Sequence, residues 1–386
     1  MRVLNYLELE SHLRRSGIGT AARHQRRALA DTDHVVVTSP WNGGGPARAM
    51  LGRLTGDPVF DCHGHDYDPD HHYDPDHDPD LDLDLDIDLV HCNLIGPGSV
   101  AVARHARRNG IPLVLHAHVT REDFAGSFRG STAVGPALER YLRWFYSQAD
   151  LVLCPSEYTR GVLKSYPVEA PIRSVTNGVD LEALSGHEAL RATYRSRYGL
   201  ADDALVVFAV GNVFERKGVS TFCRLARSLA ARDDGRDYEF VWFGPYDTGP
   251  QASSTVRRWV RDPPANVTFT GWIDDVRGAY AAGDVSLLPS HVENQGIAVL
   301  EAMACGTPVV LRDLPVFREF FTDGEDCLTC RDPSEFRESI VRLAADPGLR
   351  DRLGENARTT AHRHGLDRVA AELQDAYAEA HRLVGE

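Results

Sequence analysis

Lysine is almost absent from this chain. Of its 42 basic residues only Lys164 and Lys217 are lysine, and arginine fills every other such position. Lysine is therefore not the routine solvated cation here, and each of the two stands out. Long apolar runs are missing as well: none approaches the roughly 20 residues that a helix needs to cross a bilayer. Met1-Arg2 leads straight into an alternating stretch, so no signal peptide is expected. Cysteine is sparse, with seven scattered residues, and the odd number argues for a reduced, cytoplasmic setting over a disulfide framework. Cys327 and Cys330 form a lone Cys-x-x-Cys without a second pair. A structural zinc needs four ligands, so no metal is expected.

What is present begins with acid. Net charge is −14, yet residues 66–88 alone carry eleven Asp and no Lys or Arg, and without them the chain stands at −3. We read residues 62–88 as an Asp/His/Pro insertion that cannot form a core and stays solvated or disordered. Its His63, His65, His71, His72 and His77, and its Asp-x-Asp steps, match metal-binding spacings only because a two-residue repeat matches them many times. Dense Asp also opposes a nucleic-acid partner. The remainder, from a chain of 386 residues that is 42% hydrophobic, is enough for two ordinary cores.

Short apolar strands alternate with helical stretches throughout, which argues for parallel α/β layers. Strands are expected at 3–7, 34–38, 89–93, 113–117, 151–154 and 172–175, then at 205–210, 239–243, 267–270, 285–288 and 309–311. The halves echo one another. Asp150 to Ser156 and Asp284 to Ser290 both read Asp-x-x-Leu-x-Pro-Ser. Each half also opens with a strand, a glycine-bearing loop and a helix. The loops are Arg15 to Thr20, containing Gly17 and Gly19, and Gly211 to Gly218. Ligands on such sheets sit at the carboxyl ends of strands. Two facing domains would put Gly17 and Gly19 on one wall of a cleft and Lys217 and Glu293 on the other.

Lys217 lies between an apolar strand and a helix whose Val219, Phe222, Leu225, Ala226 and Leu229 share one face. A compact ammonium there suits phosphate oxygens. Residues 289–310 carry the second signal. Glu293 and Glu301 flank the start of a Gly296-led apolar helix, expected to run from about 296 to 305, and its first amides lack intrahelical partners. On spacing alone, a ligand site and a buried crossover with two solvated acids fit equally well.

Pro289-Ser290, Glu293, Gly296, Glu301-Ala302-Met303-Ala304, Gly306 and Pro308-Val309-Val310 resemble the signature of the retaining family-4 glycosyltransferases of the GT-B fold. The Gly17/Gly19 loop, His118, Asn177-Gly178-Val179-Asp180 and Lys217-Gly218 follow the family's order. A narrower similarity, to bacterial enzymes that add a second hexose to glucosyl-diacylglycerol, rests on three stretches. They are His116-Ala-His118-Val-Thr120-Arg-Glu122-Asp123-Phe124 with Ser127-Phe128, Phe145-Tyr146-Ser147, and Phe214 to Gly218. One departure is Asn212, where the family usually has an arginine; Arg216 is expected to supply that cation.

The resemblance implies two facing Rossmann-like domains: 1–185 on the acceptor side, 200–365 binding nucleotide-sugar, and a C-terminal helix 366–386 packing back on the first. It implies transfer of a hexose from a nucleoside-diphosphate sugar to a hydroxyl, with retention of anomeric configuration and without a cofactor. Lys217 and Arg216 would neutralise the diphosphate, helped by amides at Gly17 and Gly19. Amides at Gln295, Gly296 and Ile297 would hold sugar hydroxyls or phosphate. Glu293 would meet the hexose and Glu301 the ribose. His118 would face the donor hexose, with His116, two residues earlier, turned to the sheet. The leaving phosphate acting as base and Glu293 acting as nucleophile both remain open.

A glycolipid acceptor at the cytoplasmic face would suit Arg14, Arg15, Arg23, Arg26 and Arg27, the group Arg104, Arg107 and Arg108, and a basic-aromatic helix at 138–146. The alternatives are a sugar-nucleotide epimerase or a phosphorylase on the same fold.

Overall fold

The computed structural model describes residues 1–38 and 86–385. It contains two six-stranded sheets, and every paired strand is parallel. The first holds β1 (Arg2–Tyr6), β2 (Val35–Val37), β3 (Leu89–Cys92), β4 (Leu113–His116), β5 (Leu151–Cys154) and β6 (Ile172–Ser174), in the order β2-β1-β3-β4-β5-β6. The second holds β7 (Leu205–Val210), β8 (Tyr238–Phe243), β9 (Val267–Gly271), β10 (Val285–Leu288), β11 (Val309–Arg312) and β12 (Leu328–Cys330), in the order β12-β11-β10-β7-β8-β9. Both are doubly wound and Rossmann-like, as the alternation of elements implies. Their strand order reverses between β1 and β3 and between β7 and β10, where crevices open at the carboxyl ends.

Continuous apolar strands form because both faces of each sheet are covered. In β7, Val206 and Phe208 enter one core while Val207 and Ala209 enter another. In β1, Leu4 and Tyr6 lie on one side and Val3 on the other. β12 escaped the sequence reading, since three residues, one of them Thr329, carry too little pattern.

The C-terminal helix, Leu366–Gly385, lies on the first sheet. It buries Val369, Leu373, Ala376, Tyr377 and Ala380 against Val3, Leu89, Val114, Leu151 and Leu153. The chain thus crosses between domains twice, and the crossings touch. Val179 N donates to His364 O at 2.9 Å, and Thr176 N to Glu372 Oε2 at 2.9 Å.

Residues 86–88 belong to the expected insertion but not to a solvated excursion. Ile87 is buried, and Asp88 Oδ2 accepts from Arg2 N at 2.7 Å. The five histidines from His63 to His77 lie outside the described residues. The six described cysteines are all free and buried, including Cys327 and Cys330.

Candidate active site

The second domain supplies the cations from the turn after β7. Lys217 immediately precedes Gly218, which caps helix Val219–Ala230 at φ +81°. A Cβ on Gly218 would lie 2.2 Å from the Pro289 carbonyl oxygen, so glycine is required for the lysine turn to press against the loop after β10. That contact brings Lys217 to Glu293, Nζ to Oε1 2.5 Å, with the Glu293 side chain only 5% exposed. Burial alone would raise the Glu293 carboxyl. The charges of Lys217 and Arg216 outweigh burial, and the net displacement is downward, so it stays ionised.

Arg216 spans the cleft. Its Nη1 pairs with Asp123 Oδ1 at 2.9 Å, and its Nε donates to Ser127 Oγ at 2.8 Å. Asp123 sits on the short helix Arg121–Phe124 of the first domain, capped by Thr120. Burial raises its carboxyl more than Arg216 and Lys217 lower it. Two cations and two carboxylates therefore meet from both domains, and the guanidinium expected to be free for phosphate is occupied by Asp123.

The loop after β10 also closes on the first domain. Asn294 Nδ2 donates to the His118 carbonyl at 3.0 Å, and Asn294 O accepts from Ser156 Oγ at 2.8 Å. The Gln295 side chain clasps the interdomain crossing: Oε1 accepts from Asn177 N at 2.9 Å, and Nε2 donates to Thr176 Oγ1 at 2.6 Å. Gln295 thus contributes a clasp, while its backbone leads into Gly296, at φ +91°, and helix Ile297–Ala304.

Glu301 lies within that helix, as its expected span implies. Its Oε2 accepts from Tyr280 O–H at 2.6 Å, and burial pushes its carboxyl up to about 7, with Tyr280 and Arg23 pulling the other way.

The glycine pair splits. A short helix, Glu10–Leu13, intervenes between β1 and the pair, and Gly17 and Gly19 form the first turn of helix Gly17–Ala30 rather than a loop following the strand. A Cβ on Gly19 would lie 2.1 Å from Leu13 O, and its amide already donates to Ser16 Oγ at 3.2 Å. Gly19 is there for close packing. Only Gly17 faces open space.

The histidines correct the expected orientation. His116 and His118 do not point to opposite sides. Their rings stack, centroids 4.1 Å apart at 6°, and His91 stacks on His116 at 5.4 Å. Residues two apart in an extended segment share a face. All three are buried, and burial holds His118 and His91 at about 3, so both are neutral.

The first arginine group is not a free basic patch either. Arg26 pairs with Glu10, Arg27 with Asp180 and Glu182, and Arg15 lies 4.9 Å over the Trp272 ring of the second domain. Asp123 and Asn294 were missed as functional candidates although both lie inside the quoted motifs. Nothing in sequence marked Tyr280, which the fold alone brings to Glu301. A cavity of about 500 Å³ near Asp313, Asp323 and Arg331 contains none of the expected site residues.

Residues 15–183 match the model for Glycosyltransferase Family 4, and residues 204–346 match that for Glycosyl transferases group 1. The chain belongs to the family-4 glycosyltransferases. This glycosyltransferase is 28% identical over 386 residues to the processive diacylglycerol alpha-glucosyltransferase of Acholeplasma laidlawii, with 99% of each chain covered. It is 25% identical over 270 residues to the alpha-galactosylglucosyldiacylglycerol synthase of Streptococcus pneumoniae, covering 68% of this chain and 70% of that one. The crystal structure of Anabaena Alr3699/HepE in complex with UDP and glucose superposes with a TM-score of 0.70 at 16% identity, covering 98% and 99% of the two chains. That places the glycosyltransferase in the GT-B fold. Nothing in these similarities supports an epimerase or a phosphorylase.

Proposed function

We propose that this glycosyltransferase moves a hexose from a nucleoside-diphosphate sugar to a hydroxyl of a membrane glycolipid, with retention at the anomeric carbon. The observation that carries the reading is the paired cluster at the strand ends: Lys217 with Glu293, and Arg216 with Asp123. Departure of the diphosphate builds negative charge on phosphate and positive charge on the sugar. Lys217 and Arg216, released from their carboxylates, neutralise the phosphate, with Gly17 and the amides at Gly296 and Ile297 as further donors. Ionised Glu293 accepts sugar hydroxyl bonds and offsets the developing oxocarbenium charge. Glu301 receives the ribose hydroxyls in place of the Tyr280 hydroxyl. His118 meets the hexose. The acceptor proton passes to the departing phosphate, and attack occurs on the face that it leaves.

A glycolipid acceptor is supported by the diacylglycerol substrates in the relatives' names. Peripheral membrane contact is supported by two neighbouring helices. Pro97–Arg108 exposes Arg104, Arg107 and Arg108; Gly135–Tyr146 exposes Arg140, Arg143 and Trp144, the last at 44%. Arg107 Nη1 bonds to Gln148 O at 2.8 Å and draws the two together. No helix among the described residues is long and apolar enough to cross a membrane.

The test presents several nucleotide sugars with diacylglycerol or glucosyl-diacylglycerol in vesicles, then reads free nucleoside diphosphate and the anomeric coupling of the product. An α-linked glycolipid from an α-donor supports the reading. Epimerised donor, or hexose 1-phosphate, overturns it. Lys217→Ala should raise the barrier by about 2–4 kcal/mol, the scale of one preorganised electrostatic group. Turnover near that of the unaltered enzyme would remove Lys217 from the site.

A further inference from the structure

The inner edge of His118 ends a chain of hydrogen bonds whose direction is set at its far end. Arginine only donates. Arg26 Nε lies 3.1 Å from one terminal atom of Asn5, so that atom is the oxygen. Arg26 is held there by Glu10 and by the Asn5 carbonyl. Asn93 reaches the same Asn5 oxygen at 3.2 Å and must donate its Nδ2. Its own Oδ1 is thereby turned to His118 Nε2, 3.1 Å away. An amide oxygen can only accept, so the His118 proton resides on Nε2.

The second branch agrees. Asn5 Nδ2 donates to Gln25 Oε1 at 2.9 Å, which leaves Gln25 Nε2 to donate to His116 Nδ1 at 3.0 Å. His91 Nε2 reaches that same nitrogen at 3.3 Å, while its Nδ1 accepts from Tyr377 O–H at 2.8 Å. His116 then carries its proton on Nε2, a buried atom without a partner among the described residues. Inverting either asparagine would set an N–H against the guanidinium or two amide oxygens against each other, in a buried region where mismatched polar groups have no water to turn to.

We infer that Arg26, acting through Asn5 and Asn93, locks His118 as the Nε2–H tautomer and leaves Nδ1 as a lone-pair acceptor for a hydroxyl of the donor hexose. Arg26, Asn5 and Asn93 are positioning residues; of these four side chains only His118 touches the substrate. The sugar contact rests on the proposed function, whereas the tautomer does not. The site then requires an O–H at the hexose position facing His118, and a deoxy or O-methyl sugar there is disfavoured. The charged and titratable groups around His118 are His91 from β3, His116 from β4, Arg26 from helix Gly17–Ala30 and Tyr377 from the C-terminal helix. None of these is a carboxylate.

The lock is read directly by two-bond ¹H–¹⁵N correlation on ¹⁵N-histidine-labelled protein at pH 7, with His118 assigned by loss of its signals in His118→Asn. Protonated Nε2 and bare Nδ1 are expected. A proton on Nδ1, or an imidazolium, overturns the inference. Asn93→Asp, nearly isosteric, sets a carboxylate against Nε2 and favours imidazolium. Its kcat/KM should gain a further ionisation beyond that of Glu301, so that below the raised His118 pKa the acid limb steepens by about another tenfold per pH unit, because a protonated Nδ1 no longer accepts. An Asn93→Asp enzyme with the unaltered pH profile and unaltered ring-nitrogen shifts also overturns it. If His118→Asn turns over at the normal rate, the sugar contact fails, while the nitrogen shifts still decide the lock.

Discussion

Glu301 shows how one residue ties pH to substrate. Its carboxyl, raised by burial to about 7, is largely protonated in mildly acidic solution when the cleft is empty. Accepting both ribose hydroxyls requires the carboxylate. Donor affinity should therefore weaken as pH falls through about 7, and calorimetric titration of nucleoside diphosphate between pH 6 and 8 should show it; a flat profile would remove Glu301 from the ribose. The stability consequence has the opposite direction. The folded state holds this proton more tightly than the unfolded chain does, so the contribution of Glu301 falls as pH rises from its ordinary range near 4.5 towards 7. The identity of Lys217 and Glu293 as a pair was foreshadowed by the scarcity of lysine and the motif around Glu293. Their 2.5 Å approach was not, because it depends on Gly218 abutting Pro289.

At the level of elements, the C-terminal helix does two jobs. It covers one face of the first sheet, and it brings the Tyr377 hydroxyl to His91. Leu373 is fully buried in that seam. Leu373→Ala should cost about 2–5 kcal/mol through lost transfer energy and a residual cavity. Urea unfolding would check this, with a loss below 1 kcal/mol showing that the helix packs loosely. Strands were readable because residues buried on both faces leave uninterrupted apolar runs, and most of their boundaries agree within a residue or two. The glycine pair was not readable in detail. A Gly-x-Gly can mark close packing or ligand approach, and here Gly19 is the first and Gly17 keeps room for the second.

For the whole molecule, the question is what holds the two domains together before substrate arrives. Arg216 with Asp123, Asn294 with Ser156 and His118, and Gln295 with Thr176 and Asn177 all join one domain to the other. The carboxylate of Asp123 occupies the charge that a diphosphate would take. Asp123→Asn should therefore tighten nucleoside diphosphate binding several-fold, since Arg216 no longer has to leave an ion pair, while small-angle scattering shows a more open donor-free enzyme. Weaker binding with unchanged scattering would refute this latch. Sequence by itself determined the two doubly wound halves, the family, and the residue types of the site, because apolar periodicity and short motifs act over neighbouring positions. Tertiary structure alone decided which groups meet: Asp123 with Arg216, Tyr280 with Glu301, and Arg26, through two asparagines, with His118. Those contacts join segments far apart in the chain, and their partners and hydrogen-bond directions exist only once the strands and helices have packed.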